Sequence, residues 1–180
     1  MNTLLTKRLI LRLFKEEDLE DFYDYAKVEG VGEKAGWPHH KSIDETRQVL
    51  KAFLTNKDVY AIVLKENNKV IGSLGLHDRL NQEGVRDVGY VLNKDYWGKG
   101  IMTEVVKRLI SYAFDELHMT KLTCGHFKEN MASCSIIKKM NFRLIEEGLY
   151  YSAALKQLFH DFKYELTKEH YLTNINAYKE

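Results

Sequence analysis

Two closely spaced glycines, Gly98 and Gly100, constrain this chain more than any other feature because of the segments around them. Residues 85–92 precede them with a pattern typical of a strand. From about residue 99, apolar residues recur about every four positions, which indicates one face of a helix. The glycines therefore lie in a strand-to-helix turn. Glycine lets a ligand approach the backbone, and N–H groups at a helix N terminus attract negative charge. The turn is a candidate phosphate site.

Turn geometry alone also explains glycines between a strand and a helix, so the turn has two interpretations. It is not a nucleotide-binding loop of the Gly-Lys-Ser/Thr kind, because that sequence is absent. It is not a dinucleotide fingerprint either, because the third glycine of Gly-x-Gly-x-x-Gly is missing. A phosphate site therefore needs support from elsewhere in the chain.

Hydrophobic patterns along the chain predict alternating strands and helices. Helices are predicted at residues 16–27, 42–56, 99–117 and 130–140, and strands at 8–13, 59–64, 69–77, 85–92, 122–127 and twice between 141 and 166. This order is typical of a mixed α/β fold, a sheet with helices on both faces. The 180 residues contain no linker or repeat, which favours one domain at residues 1–180 with its core at about 4–170.

Composition excludes several classes of function. The net charge is +1, so charge alone predicts no nucleic-acid or membrane partner. There is no long apolar run and no charged-then-apolar leader, and we expect a cytoplasmic protein. The only two cysteines, Cys124 and Cys134, are expected as free thiols. No metal site is predicted, and the adjacent His39 and His40 are expected in a surface loop.

A second segment, residues 130–142, begins Asn-Met-Ala-Ser and ends Lys-Lys-Met-Asn-Phe. Together with residues 97–102 it resembles the GNAT superfamily of acetyl-CoA-dependent N-acetyltransferases. Further segments resemble its RimJ/RimL-like branch of ribosomal-protein N-acetyltransferases; they are residues 8–12, 36–38, 89–92, 97–104 and 160–166. The resemblance covers residues 4–170. It implies a central, mostly antiparallel sheet of about seven strands that is splayed in the middle.

The resemblance implies acetyl-CoA as cosubstrate and no metal. Its pantetheine arm is expected along the free backbone edge of a splayed strand at Tyr90, Val91 and Leu92, whose side chains are expected in the core. Asn130 is expected both as a helix N-cap and as a contact of this arm. The pyrophosphate is expected on the backbone of the turn, at Gly98, Lys99, Gly100, Ile101, Met102 and Thr103.

The resemblance also bears on the leaving thiolate. Many GNAT enzymes place a proton-donating tyrosine four residues after the serine position, where this chain has Ile137. The RimJ/RimL branch uses the serine itself, so Ser133 is expected to hydrogen-bond the sulfur, with Ser135 as the second candidate. A serine hydroxyl is a poor acid, which favours an orienting role. Asn141 replaces the family's glycine before Phe142, and asparagine tolerates the left-handed helix end expected there.

The general base stays open among three candidates. They are His77 and Asp78 at the end of a predicted strand, and Asp87, where family members often carry a longer glutamate. An ordinary polar strand end explains His77 and Asp78 more simply. An α-amine has a pKa near 7.7–8.0 and needs little help, whereas a lysine amine, near 10.4, needs a strong base.

The acceptor is therefore expected to be a protein N-terminal α-amine, such as that of a ribosomal protein. The alternative is a small primary amine such as a polyamine, an amino sugar or an antibiotic. A non-catalytic acyl-CoA sensor is disfavoured because Ser133 and Asn130 are present. Residues 30–41 and 150–158 are expected to line the acceptor site. Whether the chain forms a homo-oligomer is left open.

Overall fold

One continuous sheet of eight strands organises residues 2–178, the part of the chain that the computed structural model describes. The strands are β1 Leu4–Leu5, β2 Leu9–Leu13, β3 Val59–Leu64, β4 Val70–Asp78, β5 Val85–Leu92, β6 Lys121–Phe127, β7 Arg143–Ser152 and β8 Gln157–Thr167. Their order is β1-β2-β3-β4-β5-β6-β8-β7. Only β5 and β6 run parallel; all other pairs are antiparallel.

Five α-helices cover the sheet, and they are α1 Leu19–Ala26, α2 Ile43–Asn56, α3 Ile101–Ser111, α4 Met131–Lys139 and α5 Lys168–Thr173. The larger core lies under α3, α4 and α5, where Leu109 and Tyr171 are almost fully buried. A smaller core lies on the opposite face under α1 and α2, around Phe22 and Leu50. The predicted mixed α/β fold with helices on both faces is confirmed.

Some predicted boundaries shift for local reasons. The eighth strand, β1, has two residues and is too short to give a pattern. The predicted helix at 99–117 is α3 followed by a π-helical turn at Tyr112–Glu116. The predicted helix at 16–27 opens with a tight 3-10 turn, Glu16–Asp18, because the buried Asp18 carboxylate binds Arg12 at 2.7 and 2.8 Å.

Two predicted helix ends are observed. Ser42 caps α2 by accepting the Glu45 N–H at 3.2 Å, but the Glu45 carboxylate accepts the Lys41 N–H at 2.7 Å instead of completing a capping box. Asn141 follows α4 with φ of 55°, the left-handed conformation that its sequence position predicts.

The sheet divides between its two parallel strands. Strands β5 and β6 pair only from Val85 to Asp87 with Lys121 to Thr123. Beyond Asp87, β5 continues beside β4, and beyond Thr123, β6 continues beside β8. The facing edges of β5 and β6 are therefore free of each other. This splay confirms the sheet that the resemblance implies, and it opens the site described next.

Candidate active site

A groove of about 350 Å³ opens at the splay, on the face that carries α3 and α4. We call it the donor groove. Its walls are the end of β5, the turn before α3 and the first turn of α4. The lining residues are Val31, Lys34, Ala35, Tyr90, Val91, Leu92, Tyr96, Trp97, Gly98, Gly100, Ile101, Met102, Thr103, Asn130, Ala132, Ser133 and Ile136. Most residues that the sequence assigned to acetyl-CoA are thus brought together.

The glycine turn has the geometry of an anion site. Gly98 and Gly100 have φ of 72° and 70°, a left-handed conformation that favours glycine. A Cβ on Gly98 would meet no atom within 4 Å, so the backbone faces open space. Gly100 precedes α3 without a side-chain cap, which leaves the first-turn N–H groups available to a ligand.

Lys99, unlike Gly98 and Gly100, does not line the donor groove. Its carbonyl accepts a hydrogen bond from Arg8 Nη1 at 2.9 Å, and its ammonium lies 5.2 Å from the Tyr96 ring centroid. Arg8 also binds the Glu104 carboxylate at 2.7 Å. Burial opposes ionisation of Glu104, but hydrogen bonds from Thr6 and Arg8 outweigh it and lower the pKa of Glu104. These contacts brace the turn against the start of β2.

The first turn of α4 positions Asn130 and Ser133. Asn130 caps the helix by accepting the Ser133 N–H at 3.2 Å, and its amide donates to the Lys34 carbonyl at 3.2 Å. The buried Ser133 hydroxyl points into the donor groove. Ser135 is exposed and donates to the Met131 carbonyl at 2.9 Å, so its hydroxyl is not in the groove.

The side chain of Tyr90 was expected only in the core, and this is wrong in one respect. Its ring does pack against the larger core, but its hydroxyl lies 2.8 Å from the Ser133 hydroxyl. Burial raises the pKa of Tyr90, opposed by the hydrogen bond with Ser133. The phenol is therefore neutral at physiological pH, and it adds a second hydroxyl to the groove.

A second cavity, of about 710 Å³, lies across the splay, and we call it the acceptor cavity. All three candidate bases line it, yet they have different surroundings. His77 Nδ1 lies 2.5 Å from an oxygen of Asp58, a residue that the sequence did not single out. Asp78 forms an ion pair with Arg86. Asp87 accepts the Thr123 hydroxyl hydrogen bond at 2.6 Å.

Two glycines lie next to side chains that line the acceptor cavity. A Cβ on Gly75 would come within 2.1 Å of the His77 ring, so Gly75 provides the space that the imidazole fills. A Cβ on Gly125 would lie 3.4 Å from a carboxylate oxygen of Asp161. The small residues thus let His77 and Asp161 lie over the sheet.

Asp161 is a candidate acceptor-binding residue that the sequence analysis did not identify. Within residues 2–178 its carboxylate has no hydrogen bond or ion pair. Burial raises the pKa of Asp161, while the charges of Lys163 and His126 oppose the rise. The only sequence signal for Asp161 was its position in the segment 160–166. Nothing in that segment marks one residue as facing a cavity.

A short 3-10 turn, Glu33–Ala35, separates the two cavities, and we call it the strap. Lys34 and Ala35 line both cavities. The Lys34 ammonium lies 4.3 Å from the Trp97 ring centroid, at the opposite lip from Asn130. The strap therefore touches both walls of the donor groove. Residues 30–41 were expected to line the acceptor site, and from this segment Lys34 and Ala35 line the acceptor cavity. Tyr150, in the other predicted segment, also lines the acceptor cavity.

His39 and Glu33 fix the strap. Burial of Glu33 opposes ionisation, but hydrogen bonds from the His39 backbone, the His39 side chain and the Gly30 backbone outweigh it and lower its pKa to about 2. His40 was expected at the surface, and this is wrong. It is buried against Trp37 and bonds the Thr46 hydroxyl at 2.8 Å, and burial lowers the pKa of His40.

Residues 2–178 contain neither a membrane-spanning helix nor a cluster of metal-binding side chains. No helix there is long and apolar enough to cross a membrane. No group of three or more histidine, cysteine or acidic side chains there is arranged to hold a metal ion. Cys124 and Cys134 are free, buried thiols.

The splayed sheet and its helices form the fold of a class of acyltransferases. The chain belongs to the GNAT acetyltransferases, because residues 8–143 match the acetyltransferase (GNAT) domain. It is similar to the uncharacterized N-acetyltransferase p20 of Bacillus licheniformis, with 27% identity over 178 residues, 95% of this chain and 99% of that protein. It is an N-acetyltransferase of this family, whose domains use acetyl-CoA.

Solved structures share the fold. The GNAT acetyltransferase of Bacillus anthracis has a TM-score of 0.83 and 20% identity, with 93% of this chain and 99% of that one covered. The ribosomal-protein-S5-alanine acetyltransferase of Vibrio fischeri has a TM-score of 0.75 and 19% identity, with 94% and 98% covered.

Proposed function

We propose that this chain transfers acetyl from acetyl-CoA to the α-amine of a protein N terminus. The observation that carries the proposal is the charge balance of the acceptor cavity. Its lining includes as many acidic as basic side chains; the acids are Asp78, Asp87 and Asp161, and the bases are Lys34, Arg79 and Lys163. A site for a polyamine is expected to carry an excess of acids.

Aromatic residues beside the cavity suit a peptide chain. Phe127 stacks on Phe159 with ring centroids 4.3 Å apart and on Tyr150 at 5.7 Å. Flat aromatic surfaces of this kind bury side chains of an extended peptide at little entropic cost. The fold neighbour named as a ribosomal-protein acetyltransferase agrees with a protein substrate, but it supports the proposal through fold alone.

The donor groove would hold acetyl-CoA in three places. The pyrophosphate binds the N–H groups of the turn from Gly98 to Thr103. The pantetheine amides pair with the edge of β5 that β6 leaves unpaired, at Tyr90 to Leu92, where the Leu92 carbonyl already accepts a hydrogen bond from Trp97 Nε1 at 2.8 Å. A backbone N–H of the same edge polarises the thioester carbonyl. Ser133 donates a hydrogen bond to the sulfur as the carbon–sulfur bond breaks.

The amine enters from the acceptor cavity and must be neutral to attack. An α-amine with a pKa near 7.7–8.0 loses its proton to water readily. Of the three candidate bases, His77 is best oriented, because Asp58 fixes its ring. Asp87 is held by Thr123.

We further propose that residues 1–180 act as one catalytic domain in the cytoplasm, in keeping with the free thiols of Cys124 and Cys134. The partners in this proposal are acetyl-CoA and an acceptor protein, with no nucleic acid or membrane.

A panel of acceptors tests the proposal. Thiol release from acetyl-CoA is measured with peptides that carry a free N terminus, with the same peptides blocked at the N terminus but containing lysine, and with spermidine and an aminoglycoside. Mass spectrometry then locates the acetyl group. We expect acetylation of the free N terminus. An acetyl group found only on lysine or on a small amine would contradict the proposal.

The role of Ser133 is tested separately. Ser133→Ala should lower kcat by about tenfold to a hundredfold and change the acetyl-CoA KM far less, because the hydrogen bond forms mainly in the transition state. Ser135→Ala is the matched control, since its hydroxyl lies outside the groove. If only the Ser135 variant loses turnover, Ser135 is the sulfur partner.

A further inference from the structure

One hydrogen bond between two hydroxyl groups crosses the donor groove. It joins Tyr90 on β5 to Ser133 on α4, with 2.8 Å between the oxygens, and both residues line the groove. Within residues 2–178 neither hydroxyl has another hydrogen-bond partner. The pair is therefore separate from any wider polar network of the protein.

The number of protons in this pair matters for the reaction. Either oxygen can be the donor. Two neutral hydroxyls carry two protons: one lies in the hydrogen bond between them, and the other is available to a further acceptor. No side chain of residues 2–178 accepts the second proton, and Leu92 and Ile136, which line the same groove, have no acceptor atom in their side chains. A sulfur that leaves with negative charge in this groove would be its acceptor.

The fold fixes both oxygens. Tyr90 lies two residues from both Val88 and Leu92 along β5 and so shares their face of the sheet. Both belong to the larger core, so the Tyr90 ring points to the side of α4. Because β5 leaves β6 after Asp87, the ring reaches across the opened sheet. Ser133 is held from the other side by the cap of Asn130.

We propose that Tyr90 and Ser133 act together as the proton donor to the thiolate of CoA, with Tyr90 replacing the proton that Ser133 gives up. This inference rests on the proposed role of Ser133 in acetyl transfer. A phenol, with an ordinary pKa near 10, is closer to a thiol near 8.5 than an aliphatic hydroxyl is. Burial raises the pKa of Tyr90 here, but it penalises a serine alkoxide as well, so the phenol is still the more acidic of the two hydroxyls.

The step balances as follows. The carbon–sulfur bond of the tetrahedral intermediate breaks and its electron pair stays on sulfur. The Ser133 proton moves to sulfur, and the Tyr90 proton moves to Ser133. The proton lost by the acceptor nitrogen returns through water to the Tyr90 oxygen. Burial, which raises the pKa of Tyr90, favours this rapid reprotonation.

Turnover of three variants tests the pairing. Tyr90→Phe and Ser133→Ala should each lower kcat by about tenfold to a hundredfold with little change in the acetyl-CoA KM. The double variant should lose no more than the worse single variant, because the two residues act as a unit. Tyr171→Phe is the control: it loses a 2.7 Å hydrogen bond to Asp115 outside the groove and should keep its turnover.

Binding gives a readout that needs no acceptor. Calorimetry compares CoA with desulfo-CoA, which lacks the sulfur. The wild-type protein should prefer CoA by about fivefold through the hydrogen bond to sulfur, and Tyr90→Phe should remove the preference while binding desulfo-CoA normally. Equal weakening of both ligands would show that Tyr90 only packs against the groove, and would overturn the inference.

The outcomes separate this inference from the proposed function. If Ser133→Ala loses turnover and Tyr90→Phe does not, the pairing is wrong and the role of Ser133 stands. If both variants keep turnover, the role of Ser133 falls as well. If the two losses add in the double variant, the residues act independently and the pairing is again wrong.

Discussion

The donor groove and the acceptor cavity share Lys34 and Ala35 but are otherwise lined by different kinds of chemical group. The groove offers backbone groups, the glycine turn and mostly apolar side chains, all from residues that follow one another in short segments. The acceptor cavity offers charged and polar side chains from β4, β5, β6 and β8, which lie in separate parts of the sequence. A constant ligand can be recognised by backbone geometry, whereas side chains can change with the acceptor.

This difference predicts how each region responds to substitution. A backbone contact is lost only when its conformation or its access is lost, so few substitutions damage the donor groove, and those few damage it strongly. A side-chain contact in the acceptor cavity is removed by any truncation, but each contributes about 1.5–3 kcal/mol at most when it is charged. The predictions below test this contrast.

The largest effect is expected for Gly100→Val. A branched side chain at φ of 70° is strained, and it would stand over the N–H groups at the start of α3. We expect acetyl-CoA affinity to fall by about a hundredfold or more, with the fold retained. Calorimetry and circular dichroism measure the two quantities.

The control for this variant is Gly84→Val, which has a similar φ of 74° but lies outside the donor groove. It should lose stability and keep its acetyl-CoA affinity. Unchanged affinity in a folded Gly100→Val protein would remove the glycine turn as the phosphate site.

Asp161→Asn should have the next largest effect, and on the other cavity. Its unpaired carboxylate suits the ammonium form of an arriving amine, and losing one charge-assisted contact should raise the KM of the acceptor by about tenfold. The acetyl-CoA KM should not change. Asp44→Asn, an exposed substitution on α2, is the control. If Asp161→Asn changed the KM of acetyl-CoA instead, the two cavities would not bind the two substrates separately.

The same contrast explains what the sequence could predict. Gly98, Gly100 and Asn130 act through local backbone geometry, so their positions in the sequence are enough to predict where they lie in the fold. Strand and helix positions followed from periodicity for the same reason. Local pattern sufficed wherever the structural cause was local.

Other parts of the site depend on contacts that no local pattern encodes. Asp58 meets His77 only because β3 and β4 lie side by side, since the two residues are 19 positions apart in sequence. Tyr90 meets Ser133 across 43 residues, through a sheet that opens between them. Asp161 faces a cavity whose lining comes from β4, β5, β6 and β8 together. Each contact requires the assembled sheet.

A smaller effect, on stability, is expected where the strap separates the cavities. The pKa of Glu33 is about 2, below its ordinary 4.5, so its ionised form stabilises the folded state. That stabilisation is complete above the ordinary pKa and is lost as the pH falls towards the folded value. Since the Glu33 side chain is 29% exposed, solvent screens part of this interaction, and we expect Glu33→Gln to cost about 1 kcal/mol at neutral pH.

Thermal unfolding at a series of pH values measures this effect. The difference between wild type and Glu33→Gln should shrink as the pH falls from 4.5 towards 2. Glu66→Gln, in the exposed turn between β3 and β4, is the control and should differ little from wild type at any pH. A difference that persists at the lowest pH would show that Glu33 acts through shape and not through charge.

The smallest effect is expected for His77→Ala, although His77 is the best oriented of the candidate bases. An α-amine needs little help near its own pKa, so kcat/KM at about pH 8 should fall less than about threefold. In both proteins the rate should rise with pH up to about 8, following the amine itself. Asp58→Asn, which removes the carboxylate behind the ring, should behave in the same way. A loss above about tenfold in both variants, with a changed pH profile, would instead identify His77 as a general base supported by Asp58. That outcome would place essential proton chemistry in the acceptor cavity, and it would favour amines more basic than a protein N terminus.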